Sequence, residues 1–178
     1  MTSGLDMGAP ELRTRLLEFD RAVALLYPGR TFRLVLVGGG ALVLLGCLAR
    51  ATADLDALRF PTELLPLMEQ YDLSGRATAY QDQFAYNLED RVVPLGLATT
   101  AVECHAASLE DIVASKLYSD RAVDASDVRR PEVLAALDWD RLAEVIADMA
   151  GSALIERRHR QLLHNYDVYL KECGSCDG

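Results

Sequence analysis

Three groups of residues in this chain have the types and spacing to do chemistry. The first is Asp54-Leu55-Asp56. In an extended strand alternate side chains share a face, so Asp54 and Asp56 project together with Thr52 beside them. Two neighbouring carboxylates repel unless a cation sits between them. Hard oxygen ligands with positions left over for water suit magnesium. The plainer alternative is a pair of solvated surface acids. Leu55 and Leu58 flank the pair and an apolar stretch precedes it, which puts both aspartates at the rim of a core. The second group is Gly38-Gly39-Gly40, between two apolar stretches. Strand, glycine turn and helix make the geometry of a phosphate cradle, in which backbone N–H groups face the ligand and glycine lets it approach. A simple tight turn is the other reading of the same glycines. No Gly-Lys-Ser/Thr follows them, so this is not a Walker A loop. The glycines are contiguous and the next is Gly46, so it is not a dinucleotide fingerprint either.

The third group centres on Lys116. Leu109, Ile112, Val113 and Leu117 mark an apolar helical stripe, and at about 100° per residue Lys116 falls near its centre. An ammonium there must either stretch out to water or meet a negative partner. The chain has 16 arginines and only two lysines, Lys116 and Lys171, so a lysine at this place is not what its composition supplies. Asp124 and Asp127 lie three apart and can share a helix face. They read either as acids favoured near a helix N-terminus or as functional groups, with Asp127 orienting Lys116 or an acceptor.

These residues need elements to hold them. A helix opens at Pro10, with Leu12, Leu16, Phe19, Val23 and Leu26 on one stripe, and Pro28-Gly29 ends it. Phe32 to Val37 reads as a buried strand, Ala41 to Ala49 as a short buried helix, Ala53 to Leu58 as a second strand and Pro61 to Tyr71 as a helix. Further strands are expected around Ala77–Tyr80, Arg91–Leu95 and Ala101–Ala106. Ser108 caps the Lys116 helix, with Asp111 three residues on. Helical stretches at about Ser126–Leu137, Asp140–Met149 and Ser152–Glu172 finish the chain. The expected class is α/β (α+β): a small mixed sheet flanked by helices, with a helical C-terminal third. The expected division is residues 1–122 as the α/β core and residues 123–178 as a helical extension packed on it.

Composition bounds the function. The chain has 178 residues, 51% of them hydrophobic, which is enough for one core without staples. A net charge of −9 argues against a broad basic face that coats nucleic acid, and no DNA partner is expected. The longest apolar run, Gly38 to Ala49, is too short to span a bilayer. Met1 to Pro10 shows no basic-then-apolar leader, so a cytoplasmic location is expected. Cys47 and Cys104 sit in apolar patterns and do not read as an extracellular disulfide framework. Cys173-Gly174-Ser175-Cys176 could bind zinc only with help from His159 and His164; a frayed tail is the simpler reading. Arg157, Arg158 and Arg160, with His159 and His164, form the one basic cluster, either a solvated face or a patch for RNA phosphates. Tyr166 and Tyr169 read as core or interface.

Val37-Gly38-Gly39-Gly40, an apolar helix, then Arg50-Ala51-Thr52-Ala53-Asp54-Leu55-Asp56 resembles the signature of polymerase-beta-like nucleotidyltransferases. The Arg-x-Ser/Thr-x-Asp-x-Asp form is most similar to the toxin nucleotidyltransferases of abortive-infection and type IV toxin–antitoxin systems and to related bacterial nucleotidyltransferase-like proteins. A second block, Leu109-Glu110-Asp111-Ile112-Val113-Ala114-Ser115-Lys116-Leu117 followed by Arg121, Asp124 and Asp127, is similar to the Asp-Leu-x-x-x-Lys-Leu and Arg-x-x-Asp-x-x-Asp arrangement of the same families. The two blocks cover about half the chain. The resemblance implies metal-dependent transfer of a nucleoside monophosphate from a nucleoside triphosphate to an acceptor hydroxyl, with release of pyrophosphate. It implies that Gly39 and Gly40 hold the triphosphate, that Thr52 bonds a phosphate oxygen, and that Asp54 and Asp56 bind Mg2+ or Mn2+. It gives Lys116 a phosphate, where a compact ammonium suits the charge, and makes RNA such as tRNA, or an antitoxin protein, the expected partner. Many active relatives use a third carboxylate from a neighbouring strand; Glu103 is the candidate here, with Asp90 behind it. The alternative is a catalytically inactive member of the fold that binds a nucleotide or a protein partner.

Overall fold

The computed structural model describes residues 8–49, 52, 54–152 and 155–174. Arg50, Ala51 and Ala53 of the first motif, and Ser175 and Cys176 of the terminal Cys-x-x-Cys, lie outside the described residues. Contacts divide the chain into two units, residues 1–81 with 92–107, and residues 82–91 with 108–178. The helix bearing Lys116 therefore belongs with the second unit.

The first unit holds α1 (Ala9–Leu26), α2 (Gly38–Leu44), α3 (Leu65–Gln70) and all five strands: β1 (Phe32–Val37), β2 (Leu55–Arg59), β3 (Leu73–Ser74), β4 (Val93–Pro94) and β5 (Val102–Ala106). The mixed sheet runs β3-β2-β1-β5-β4. β1 pairs antiparallel with β2 and parallel with β5, β2 parallel with β3, and β4 antiparallel with β5. β1 is aliphatic and central, and all its residues but Arg33 are buried. Leu12, Leu16, Phe19 and Val23 of α1 are fully buried, as their spacing requires. On the same stripe Asp20 is buried too. Its carboxylate accepts bonds from the N–H groups of Thr100, Ala101 and Val102 at 2.8–3.1 Å, which fixes the entry to β5.

The second unit contains α4 (Leu109–Tyr118), α5 (Ala122–Val128), α6 (Pro131–Ala136), α7 (Trp139–Ser152) and α8 (Glu156–Cys173). α4 packs against α5, α7 and α8. Every residue of α4 from Leu109 to Leu117 is buried, so its polar groups must be paired internally. They are. Ser108 Oγ accepts from the Asp111 N–H (3.1 Å) and donates to the Asp111 carboxylate (2.7 Å). Arg91 clamps that carboxylate through Nε and Nη2 (2.9 and 2.8 Å). Glu110 accepts from the Asp138 N–H.

The structure departs from the sequence reading in several places: the two-residue β3 was not among the expected strands, and the expected Pro61–Tyr71 helix opens with a 3-10 turn at Thr62–Leu64. The helix expected at Ala41–Ala49 starts at Gly38 and stops at Leu44. Gly46 takes φ +75°, and the Cys47 and Gly46 N–H groups bond Leu42 O (2.9 Å) and Val43 O (3.0 Å), a Schellman stop that the apolar run conceals. The strand expected at Ala77–Tyr80 lies in a 3-10 stretch, Arg76–Gln83. Thr78 Oγ1 and the Thr78 N–H both bond Gly75 O, so local bonds replace a ladder there. The strand expected over Arg91–Leu95 shrinks to Val93–Pro94. The helix expected at Ser126–Leu137 is two helices, because Pro131 holds Arg130 extended (φ −64°, ψ 137°).

Candidate functional site

β1 runs into α2 with no linker, and the three glycines form the junction. Gly38 has φ +72°, a conformation that glycine adopts without strain. The register pairs Val37 with Asp56, so this junction lies directly against the acidic segment. A Cβ on Gly38 would stand 3.4 Å from Asp56 Oδ2. One on Gly40 would stand 2.6 Å from the Asp54 carbonyl oxygen and 3.0 Å from Leu55 Cδ2. Glycine at position 40 is therefore what allows helix and strand to touch. Leu55 is fully buried, whereas Asp54 is exposed and Asp56 half-buried, as strand alternation demands. Thr52 is buried, and its hydroxyl accepts from the Asp54 N–H (3.4 Å), bracing the first aspartate from behind.

Glycine turn, Thr52, Asp54 and Asp56 thus come together. Glu103 does not join them. It is exposed on β5 opposite Arg33, four residues along β1 from the Val37 that pairs with Asp56. At about 3.3 Å per residue that is roughly 13 Å along the sheet, with a second strand spacing across it. The cross-strand neighbours of Asp56 are Val37 and Ser74, neither a carboxylate. Asp90 belongs to the second unit, exposed in a 3-10 turn. Among the described residues, no three His, Cys, Asp or Glu side chains converge on one point. A pair of carboxylates fits magnesium, which is usually held by one or two of them while substrate phosphates and water complete its shell.

The second unit carries a buried charge cluster. Lys116 Nζ donates to Asp124 Oδ1 (2.5 Å) and Asp127 Oδ2 (3.0 Å), with the three side chains 6%, 1% and 1% exposed. Asp124 also accepts from Ser119 Oγ and from Nε of the exposed Arg121, both at 2.7 Å. Burial pushes the Asp124 carboxyl up, but bonds from Lys116, Ser119 and Arg121 and the Lys116 charge outweigh it and hold it below the usual carboxylate range. The amine on the apolar stripe has met negative partners rather than water. Asp127 is one of the two carboxylates that accept from Lys116. Asp124 makes the shorter contact; the sequence marks it as a helix N-terminal acid, a face-mate of Asp127 and a motif position, but not as a partner of Lys116. Ammonium groups have three protons, and two are committed here.

Other candidates resolve into structure. Tyr169 is fully buried and donates to Val128 O (2.8 Å). Arg158 lies over the Tyr118 ring and 3.9 Å from Asp82, and Arg160 stands 3.6 Å from Glu156. His159 is half-buried, with Nδ1 2.8 Å from Ala150 O. Cys47 and Cys104 are buried, Cys104 as a free thiol, and Cys173 is half-buried.

Residues 14–173 match the family described as nucleotidyltransferase of unknown function (DUF6036). The chain belongs to this family. No curated protein and no solved structure is significantly similar to it. The match runs through both motif blocks, from within α1 to the last residue of α8, so it takes in most of both units of this nucleotidyltransferase-family chain. Among the described residues, no helix is long and apolar enough to cross a membrane.

Proposed function

We propose that this protein transfers a nucleoside monophosphate from a nucleoside triphosphate to an acceptor hydroxyl, releasing pyrophosphate. The observation that carries the reading is the close packing of the glycine junction on the Asp54–Asp56 segment, with Gly38 beside Asp56 and Gly40 against Asp54. At Gly38 an added Cβ would meet only Asp56, so the bare backbone there would leave the triphosphate room beside the carboxylates, while Gly40 holds helix and strand together. Asp54 and Asp56 would hold Mg2+ or Mn2+, which supplies neutralisation of the phosphates and a lowered pKa for the attacking hydroxyl. Gly39 and Gly40 receive the phosphates through backbone N–H groups, and Thr52 keeps Asp54 in place while offering its own proton to a phosphate oxygen. The acceptor hydroxyl attacks the α-phosphorus in line, and the bond to the pyrophosphate oxygen breaks. Lys116 enters this reading as the centre of the ion cluster with Asp124 and Asp127.

The Arg-x-Thr-x-Asp-x-Asp form supports a narrower version, in which the protein is the toxin of a toxin–antitoxin pair, RNA such as tRNA is the acceptor, and Arg157, Arg158 and Arg160 are its docking cations. The test is transfer of label from α-labelled triphosphates to total RNA with magnesium, with Asp54→Ala as control. Labelling that requires Asp54 supports the reading, and equal labelling by both proteins overturns it. Val37 and Ser74 as the neighbours of Asp56 favour one other reading, a domain that binds the nucleotide without transferring it. That version gives Asp54-dependent triphosphate binding and no labelled product.

A further inference from the structure

Resting on that reading, we propose that Ser74 and Arg76 form a further phosphate contact of the nucleotide site, Ser74 through its hydroxyl proton and Arg76 through its guanidinium. β2 and β3 are parallel, with Leu55 opposite Leu73 and Asp56 opposite Ser74. Leu55 and Leu73 are both buried, so Asp56 and Ser74 share the other face, one strand spacing of about 4.8 Å apart. The chain folds back immediately after Ser74. The Arg76 N–H donates to Ser74 Oγ (3.2 Å), and the Thr78 N–H donates to Gly75 O (3.2 Å). This turn is held rigidly. A Cβ on Gly75 would stand 2.5 Å from Phe60 Cζ and 3.0 Å from Leu65 Cδ1, so the Ser74–Arg76 backbone lies hard against those two side chains.

Two donors are left over at this corner. The bond from Arg76 occupies an acceptor position of the Ser74 hydroxyl, while its proton meets no acceptor among the described residues. The Arg76 guanidinium is exposed and makes no ion pair among the described residues. A hydroxyl proton on the neighbouring strand and an unpaired guanidinium two residues further along the chain, near a carboxylate that would hold a divalent cation, make a set matched to a phosphate oxygen, and a guanidinium can bind such an oxygen pair in fork geometry.

The probe is inorganic tripolyphosphate with magnesium, which removes any base preference, titrated calorimetrically into the full chain. Ser74→Ala and Arg76→Gln are each expected to weaken binding roughly tenfold, the size of one hydrogen bond to a charged group. Arg76→Lys is expected to restore most of the Arg76 loss. Arg76→Gln should leave the melting temperature unchanged, because the side chain is exposed. If wild type binds, Asp54→Ala abolishes binding, and both Ser74→Ala and Arg76→Gln bind within twofold of wild type, this inference fails and the nucleotidyltransferase reading stands. If wild type does not bind, or binds no better than Asp54→Ala, the reading itself fails and takes the inference with it.

Discussion

Lys116→Met removes the cation from the cluster in the second unit while nearly keeping the side-chain volume. Two carboxylates, each 1% exposed, would then face one another, Asp124 still held by Ser119 and Arg121. At a separation near 3 Å and an effective dielectric of about 20, each lost attraction amounts to roughly 5 kcal/mol. The ammonium no longer has to be desolvated, which returns part of that. Breaking a buried pair by removing one partner typically costs about 3–5 kcal/mol. For a chain of this length, roughly 2–4 °C per kcal/mol turns that into a fall in melting temperature of about 6–20 °C at pH 7. The pH dependence gives a second signature. Asp124 titrates below its ordinary value in the native protein, so its stabilisation is present above the unfolded-state pKa and is lost as pH falls through the folded-state value. Without Lys116, Asp124 loses the bond and the charge that help hold its carboxyl down, so it protonates at higher pH and the repulsion is relieved earlier. The gap between wild type and variant should therefore narrow as pH falls from 7 towards 4. Thermal unfolding followed by circular dichroism across that range measures it, and Lys116→Met with Asp124→Asn and Asp127→Asn should regain much of the loss. A penalty below about 1 kcal/mol at pH 7, or a gap that does not change with pH, would refute the structural role assigned to the cluster.

Two further outcomes follow from the first unit. Gly40→Ala should destabilise the protein by about 1–3 kcal/mol, since its methyl meets the Asp54 carbonyl at 2.6 Å and must displace backbone rather than a flexible side chain; denaturant unfolding reads this, and a neutral result would mean that helix and strand are not in contact. Burial, with a smaller effect from Asp20, pushes the Cys104 thiol up to about 12. Only about one part in ten thousand is then thiolate at pH 8, so alkylation mapped by mass spectrometry should find Cys104 unmodified in the native protein and alkylated once the chain is denatured; rapid modification of native Cys104 would contradict its burial.

The acidic pair could be read from the sequence because its signal is local. Alternation alone sets Asp54 and Asp56 on one side and Leu55 on the other, and the burial of Leu55 between two more exposed aspartates keeps that pattern. That Lys116, on its apolar stripe, needed either water or a negative partner was equally plain. Its second partner was not, because Asp124 reaches it only once Ser119 and Arg121 have turned the chain into α5. Glu103 shows the opposite limit. Parity along a strand tells which face a side chain takes, but not how far along its neighbour it lies; pairing with Arg33 rather than with Val37 sets that distance. Ser74 went unnoticed for the same reason, since a two-residue strand carries no periodicity and only its register with Asp56 gives it meaning. Gly46 and Pro131 were visible all along as breakers, and gave way to the apolar runs around them.

The outer strands of the sheet have a consequence for how this protein meets other chains. β3 and β4 each offer two residues for pairing, and one of the four is Pro94, which has no N–H to give. An incoming polypeptide therefore finds almost no backbone ladder to extend at either rim. That guards against self-association through open β edges, and it means that a protein partner of the first unit has to dock on side chains of helices and turns rather than by lending a strand.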